Sequence, residues 1–293
     1  MRKLTRVKRI RLAALLAGIL LAAALLKVDP SGAEGPNAVL PPKGERLVYD
    51  VSFLLFRNAA VGSLTMRYLP ARNLYEGVVS AQTKGFVGLF SFFRRDTYRS
   101  LMRLSPEGRL IPIEFHKKVR QGGYRLTTST FLDYKAGVMR WKSTMMDSDG
   151  TDVETQTRPI PKGFIYEDFI SAFSNLRRGV YGPIVPGKVV QIPSLPTRNW
   201  FKKHKEKPQS FTVKLGKWTR GEDGSSRMEI AITVPKGLFG GRVEHARFQM
   251  REDHVPSGIL LKDAILSADV KGKLRSSQVF RKELAAESSP PAP

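Results

Sequence analysis

Cysteine is absent from all 293 residues, and histidine occurs only four times. The first absence excludes disulfides, thiol nucleophiles and thiolate metal sites, so the folded chain depends on its packed interior. The histidines, His116, His204, His245 and His254, stand far apart, and none has the HxH or HxxxH spacing that sets two imidazoles on one metal. Acidic residues are scarce too: 26 Asp and Glu face 49 Lys and Arg, a formal charge of +23. No GxSxG elbow, SxxK pair or glycine-rich phosphate loop occurs. DSDGTD (147–152) has glycine fourth and Arg158 twelfth, where a calcium loop needs glycine sixth and glutamate twelfth, so it reads as a hairpin tip. REDHVPSG, with His254 behind Glu252 and Asp253, reads as a solvated turn. These absences predict a protein that is not an enzyme, with no catalytic residue, no metal site and no cofactor.

Long apolar runs are equally few. One occupies residues 12–26, preceded by Arg2, Lys3, Arg6, Lys8, Arg9 and Arg11 and followed by Ser31 and Ala33 in a small-x-small arrangement. That order predicts an export signal over residues 1–33, cleaved near Ala33. The run falls short of the roughly 20 residues that cross a bilayer comfortably, and an uncleaved inner-membrane anchor is the alternative. Without a cysteine at the cleavage point, lipoprotein acylation is excluded. Removal of the segment takes seven bases and one acid and leaves +17. A periplasmic or secreted protein of that charge is expected to meet anionic lipid headgroups or acidic polysaccharide, and export separates it from nucleic acid.

Beyond a Pro/Gly-rich linker (34–44) the pattern has period two. In GERLVYDVSFLLF, Leu47, Tyr49, Val51, Phe53 and Leu55 share one face, with Asp50 and Ser52 on the other. Further strands are predicted over 61–69, 74–84, 94–104, 110–119, 124–134 and 138–146, and again over 189–193, 210–216, 227–234, 242–250 and 257–266, with a weaker pair near 269–273 and 276–282. Turn signals such as Gly122-Gly123 separate them. One segment differs. In YEDFISAFSNLRRGVYG, Phe169, Ile170, Phe173 and Leu176 recur at three and four residues between Asp168 and Arg177, with Gly179 following, which predicts an amphipathic helix near residues 166–178. The expected fold is mainly β: one large antiparallel curved sheet or barrel of about 12 to 14 strands over residues 45–284, with the helix in its mouth or on its concave side. The tail over 285–293 is expected to be disordered.

Binding features are stronger than catalytic ones. GFVGLFSFFRRD (85–96) places Phe86, Leu89, Phe90 and Phe93 at helical spacing, ahead of Arg94 and Arg95. Such a segment either plugs the core or lines the lip of an apolar cavity, and Phe169 and Phe173 of the helix are expected to face the same interior. RNWFKKHKEKPQ (198–209) sets Trp200 beside Lys202, Lys203 and Lys205, a composition suited to a lipid headgroup interface or to a solvated basic loop. Leu238 and Phe239 fall at another hairpin tip. As local structure, Asp168 is expected to cap the helix and Asp96 to form a cross-strand ion pair.

The run LVYDVSFLLFRNAAVGSLTMRYL (47–69), A-x-T-x-G (81–85), RRDTYRS (94–100), LIPIEF (110–115) and DFISAFSNLR (168–177) followed by PGK resembles the bacterial family called domain of unknown function 3108 over about residues 44–280. The resemblance implies an exported or lipid-anchored β-rich envelope protein. Its architecture is similar to the half-barrel of periplasmic lipoprotein carriers, which implies an apolar or acyl-chain ligand in the concave face of the sheet. That ligand would touch Phe86, Leu89, Phe90, Phe93, Phe169 and Phe173, with Arg94, Arg95, Trp200, Lys202, Lys203 and Lys205 contacting anionic headgroups or polymer. The alternative is an interaction module of the envelope that binds anionic polysaccharide or a partner protein through its basic surface.

Overall fold

The computed structural model describes residues 41–53, 55–196, 209–221, 224–234, 245–265 and 268–280. The expected signal, most of the linker, the basic loop with Trp200, Lys202, Lys203 and Lys205, the Leu238–Phe239 tip and the tail lie outside the described residues. Among the described residues no helix is long and apolar enough to cross a membrane.

The alternating segments form two meanders. β1 (Gly44–Phe53), β2 (Phe56–Leu69), β3 (Leu74–Thr83), β4 (Arg95–Leu104), β5 (Leu110–Gln121), β6 (Tyr124–Asp133), β7 (Val138–Asp147) and β8 (Gly150–Pro159) each pair antiparallel with the next. β9 (Val189–Pro193), β10 (Ser210–Arg220), β11 (Ser226–Thr233), β12 (His245–Arg251), β13 (Pro256–Ile265) and β14 (Ala268–Val279) do the same. β14 then pairs antiparallel with β1, which fuses both meanders into a single sheet of 14 strands with β8 and β9 as its edges. The sheet is curved and not closed by strand pairing. One parallel bridge ties the segment following β8 to the chain leaving β9: the Glu167 amide donates to the Pro193 carbonyl at 2.8 Å, and the Leu195 amide donates to the Glu167 carbonyl at 3.0 Å.

Two elements differ from the sequence reading. β8, GTDVETQTRP, has no apolar alternation and was not foreseen as a strand. The weak pair near the C-terminus is one strand, β14, broken in its pattern by a bulge: Val48 faces Ser276 and Tyr49 faces Leu274, so Arg275 is the extra residue. The bulge turns Arg275 toward Asp50, with which it pairs.

The chain passes from one sheet edge to the other through the helix α2 (Phe169–Arg177), which is preceded in the chain by a short helix, α1 (Gly85–Phe90). Asp168 caps α2, as expected, accepting from the Ile170 amide at 2.7 Å and the Ser171 amide at 3.1 Å. The helix is buried nearly all round and lies between the two arms of the sheet. Phe169 meets Tyr98 of β4 and Phe115 of β5 edge-on, at 5.0 and 5.4 Å between ring centroids, while Phe173 lies 6.0 Å from Phe248 of β12. Gly77 in β3 admits it, since a Cβ there would stand 2.4 Å from Ile170 Cγ2. Arg177 fixes the C-terminal turn through a bidentate pair with Glu45 (2.8 and 2.7 Å) and a bond from Nε to the His254 carbonyl. Around this plug the inner faces of β1 and β9–β14 are mainly apolar, with Leu47, Val51, Phe211, Val213, Ile230, Phe248 and Leu261 all buried.

Candidate functional site

The ends of β1, β3 and β5 and the starts of β2, β4 and β6 share one end of the sheet. The β3–β4 connection at that end is α1 with the residues that follow it. Its fold is set by backbone bonds: the Lys84 amide donates to the Ala59 carbonyl (2.8 Å), the Gly122 amide to the Phe92 carbonyl (3.2 Å) and the Phe93 amide to the Gly88 carbonyl (2.6 Å). Ser91 Oγ donates to Thr83 Oγ1 at 2.8 Å and so ties the loop to the end of β3. A Cβ at Gly88 would press on the Phe93 ring at 3.0 Å, so glycine lets that ring lie close against the helix. Phe92 and Phe93 both adopt left-handed backbone, at φ 53° and 48°, which costs an L-residue roughly 1–2 kcal/mol each.

The expense is not repaid by burial. Phe86, Leu89, Phe90, Phe92 and Phe93 are each between 56 and 68 % exposed. Leu55 and Phe56 at the neighbouring β1–β2 turn are exposed as well, and Phe56 stacks on Phe86 at 5.7 Å. The rings form one continuous apolar knob. The expectation that α1 plugs the core, or faces the interior alongside Phe169 and Phe173, is therefore corrected: α1 points outward at the rim, whereas Phe169 is buried and Phe173 part-buried against the core. Helical spacing located the ring positions, but a six-residue helix on a hairpin connection has no sheet beneath most of its surface.

Beside the knob stands a row of arginines. Register pairs Arg95 of β4 with Arg120 of β5, and Arg120 with Arg125 of β6, across the two-residue turn Gly122-Gly123. All three are exposed, and adjacent strands lie about 4.8 Å apart. Like charges directly opposite one another destabilise a sheet. Arg95 bonds only the neutral Gln82 (3.0 Å), and no carboxylate pairs with Arg120 or Arg125 among the described residues. Exposed Arg57 and Lys84 add to the charge. Arg120 and Arg125 were not singled out from sequence, although cations flanking both sides of a Gly-Gly turn were the available signal. The turns at the opposite end mix the acids Glu107, Asp133, Glu252 and Asp253 with Arg72, Arg109 and Lys135, and Trp218 and Val279 are exposed near that end; the acidic β7–β8 turn with Asp147 and Asp149 lies at the α1 end.

Arg94, expected at an anionic contact, is instead buried and committed. Its Nε and Nη2 donate to the two Asp96 oxygens at 2.6 and 2.7 Å. Asp96 therefore pairs two residues along its own strand and not across strands, because Arg94 and Asp96 both point inward. Burial pushes the Asp96 carboxyl up and Arg94 pulls it down. A second basic region lies on the outer face of β11–β14, where a groove of about 570 Å³ is lined by Arg227, Arg247, Arg251, Lys271 and Lys273, with Glu229 as its acid and Gly258 in its floor.

The family model described as a protein of unknown function (DUF3108) matches residues 48–202, more than half of the chain. The chain belongs to the DUF3108 family. The match spans β1 to β9 and includes α1, the arginine row and α2. Among solved structures, a β-barrel-like protein of domain of unknown function DUF1849 from Brucella abortus is similar at 11 % identity and a TM-score of 0.43, covering 83 % of this chain and 100 % of that one. No curated protein matches the sequence.

Proposed function

We propose that this DUF3108 protein is a non-enzymatic, exported protein of the cell envelope that binds lipid at the α1 rim. The acyl-binding surface in this reading is the outward knob of Phe86, Leu89, Phe90, Phe92 and Phe93, and not the concave face, whose apolar half is occupied by α2. One observation carries it: an exposed apolar knob held in a costly backbone conformation beside three arginines that no carboxylate pairs with among the described residues. A concentrated apolar patch rimmed by polar residues marks an interaction site. Rings at the acyl boundary with guanidinium groups at phosphate level match an anionic membrane surface. Burying one Phe or Leu side chain contributes roughly 1.5–3 kcal/mol, and each arginine near an anionic surface about 1 kcal/mol. The rings thus set affinity and the arginines set lipid preference.

Flotation of the full chain with phosphatidylglycerol-containing and with phosphatidylcholine vesicles tests this. Binding is expected to anionic vesicles and to weaken as salt rises; Phe90→Ser should weaken it about tenfold or more, and Arg120→Glu with Arg125→Glu should abolish the preference for anionic lipid. Failure to bind either vesicle at low salt, or equal binding by wild type and Phe90→Ser, would overturn the reading. The basic groove on β11–β14 supports a second reading, an interaction module for anionic polymer. Binding to soluble heparin without vesicle binding would select it.

A further inference from the structure

The concave face of the sheet changes character along its width. Across β1 and β9–β14 it is apolar and packed against α2. Across β5–β8 it is not. Register places Lys117, Thr128, Ser143 and Glu154 side by side on four successive strands, next to Tyr98 of β4. One step along the strands toward the opposite end stands a second row of Phe115, Thr130, Trp141 and Gln156. Both rows face inward, because Tyr98 and Trp141 in the same rows are core residues. A core-facing stretch of sheet is expected to be apolar or fully hydrogen-bonded. This one is neither.

Thr130 and Ser143 are buried, and neither makes a side-chain hydrogen bond among the described residues. Gln156 donates from Nε2 to Glu154 at 3.4 Å, which fixes the amide orientation, since the reverse would set an oxygen against a carboxylate. Its Oε1 is buried with no partner among the described residues. Lys117 forms no ion pair among the described residues: its ammonium lies over the Tyr98 ring at 5.7 Å, and the nearby Asp96 is already held bidentately by Arg94. Burial pushes the Lys117 ammonium below its ordinary range, with Asp96 opposing that shift. The patch thus offers the Lys117 ammonium outside any ion pair among the described residues, three hydroxyls, the Glu154 carboxylate at its β8 side and one acceptor that lacks a donor among the described residues. From β5 to β8 it spans three strand spacings, about 14 Å between backbones.

We infer that the inner face of β5–β8 is a binding site for a polyhydroxylated ligand bearing one acidic group, of the class of a uronic acid or a sugar phosphate. Lys117 takes the acidic group, Gln156 Oε1 accepts from a ligand hydroxyl, and Thr128, Thr130 and Ser143 bond the remaining hydroxyls. The outward rim takes no part, so the site stands or falls independently of lipid binding.

Calorimetric titration of the full chain with glucuronic acid, glucose 6-phosphate and uncharged glucose tests the proposal. An acidic probe is expected to bind at least tenfold more tightly than glucose, and Lys117→Met to erase that difference. Preference for glucuronic acid over glucose 6-phosphate, or the reverse, identifies the acidic group. Gln156→Met, which removes the orphan oxygen, should lose probe binding while raising the melting temperature of the free protein, a combination that a misfolded variant does not produce. No binding of any probe to the wild type, or binding that both variants leave unchanged, would overturn the assignment.

Discussion

Glu167 is fully buried where three parts of the fold meet, and every oxygen it has is used. Oε1 accepts from Arg109 Nε and Nη2 at 2.8 and 2.5 Å, and Oε2 accepts from Asn175 Nδ2 at 3.0 Å and the Tyr181 hydroxyl at 2.6 Å. The side chain thus ties the β4–β5 turn to α2 and to the segment leading to β9, while its backbone bridges to Ser194, just beyond β9. Next to it, Asp168 caps α2 and accepts from Ser100 Oγ at 2.5 Å, yet burial outweighs these bonds and pushes its carboxyl up to about 6 from an ordinary 3.8. The folded state therefore binds this proton more tightly than the unfolded chain. Stability from this group is gained as pH falls from about 6 toward 3.8 and lost as pH rises back through 6. Asp168→Asn keeps a capping oxygen and removes the titration. Urea midpoints at pH 4.5 and 7 should show this protein losing, on going to pH 7, a contribution that Asp168→Asn does not lose. Asp168 was legible in the sequence because a cap bonds amides two and three residues on. Glu167 was not, since its partner Arg109 lies 58 residues away in the chain.

At the scale of elements, the depth at which α2 sits depends on one missing side chain. Gly77 lies in a strand that otherwise alternates, and Ile170 Cγ2 fills the space its Cβ would need. Gly77→Ala should destabilise by about 1–3 kcal/mol through overpacking. Gly77→Ala combined with Ile170→Ala should lose less than the sum of the single changes, measured as a double-mutant cycle of denaturant midpoints. The helix itself was readable, because its stripe of Phe169, Ile170, Phe173 and Leu176 has the helical period. β8 was unreadable for the opposite reason. Its inward residues are Glu154, Gln156 and Arg158, so the period-two signal of an apolar inner face never arises. The strand that escaped the pattern is one wall of the polar inner site. For α1 the composition was legible and the direction was not: periodicity orders residues around an axis, but only the β3–β4 register sets that axis beyond the edge of the core.

For the whole molecule, an even meander decides which turns share an end, and here it gathers Leu55, Phe56, α1 and the arginine row at one end, together with the acidic β7–β8 turn of Asp147 and Asp149. Net charge pointed to an anionic partner, and short turns between alternating strands pointed to a single antiparallel sheet, both from sequence alone. That Arg95 joins Arg120 and Arg125 followed only from pairing, since it lies 25 residues before Arg120 in the chain. Because the chain has no cysteine, a single introduced thiol can be spin-labelled without background. The most direct measurement is the collision accessibility of a nitroxide placed by Phe90→Cys at the rim, compared with one placed by Glu107→Cys at the opposite end, with and without phosphatidylglycerol vesicles. The account predicts that the label at position 90 gains accessibility to oxygen and loses it to a water-soluble nickel reagent when vesicles are added, while the label at 107 is unchanged. Equal behaviour at both positions, or insertion at 107 alone, would contradict it.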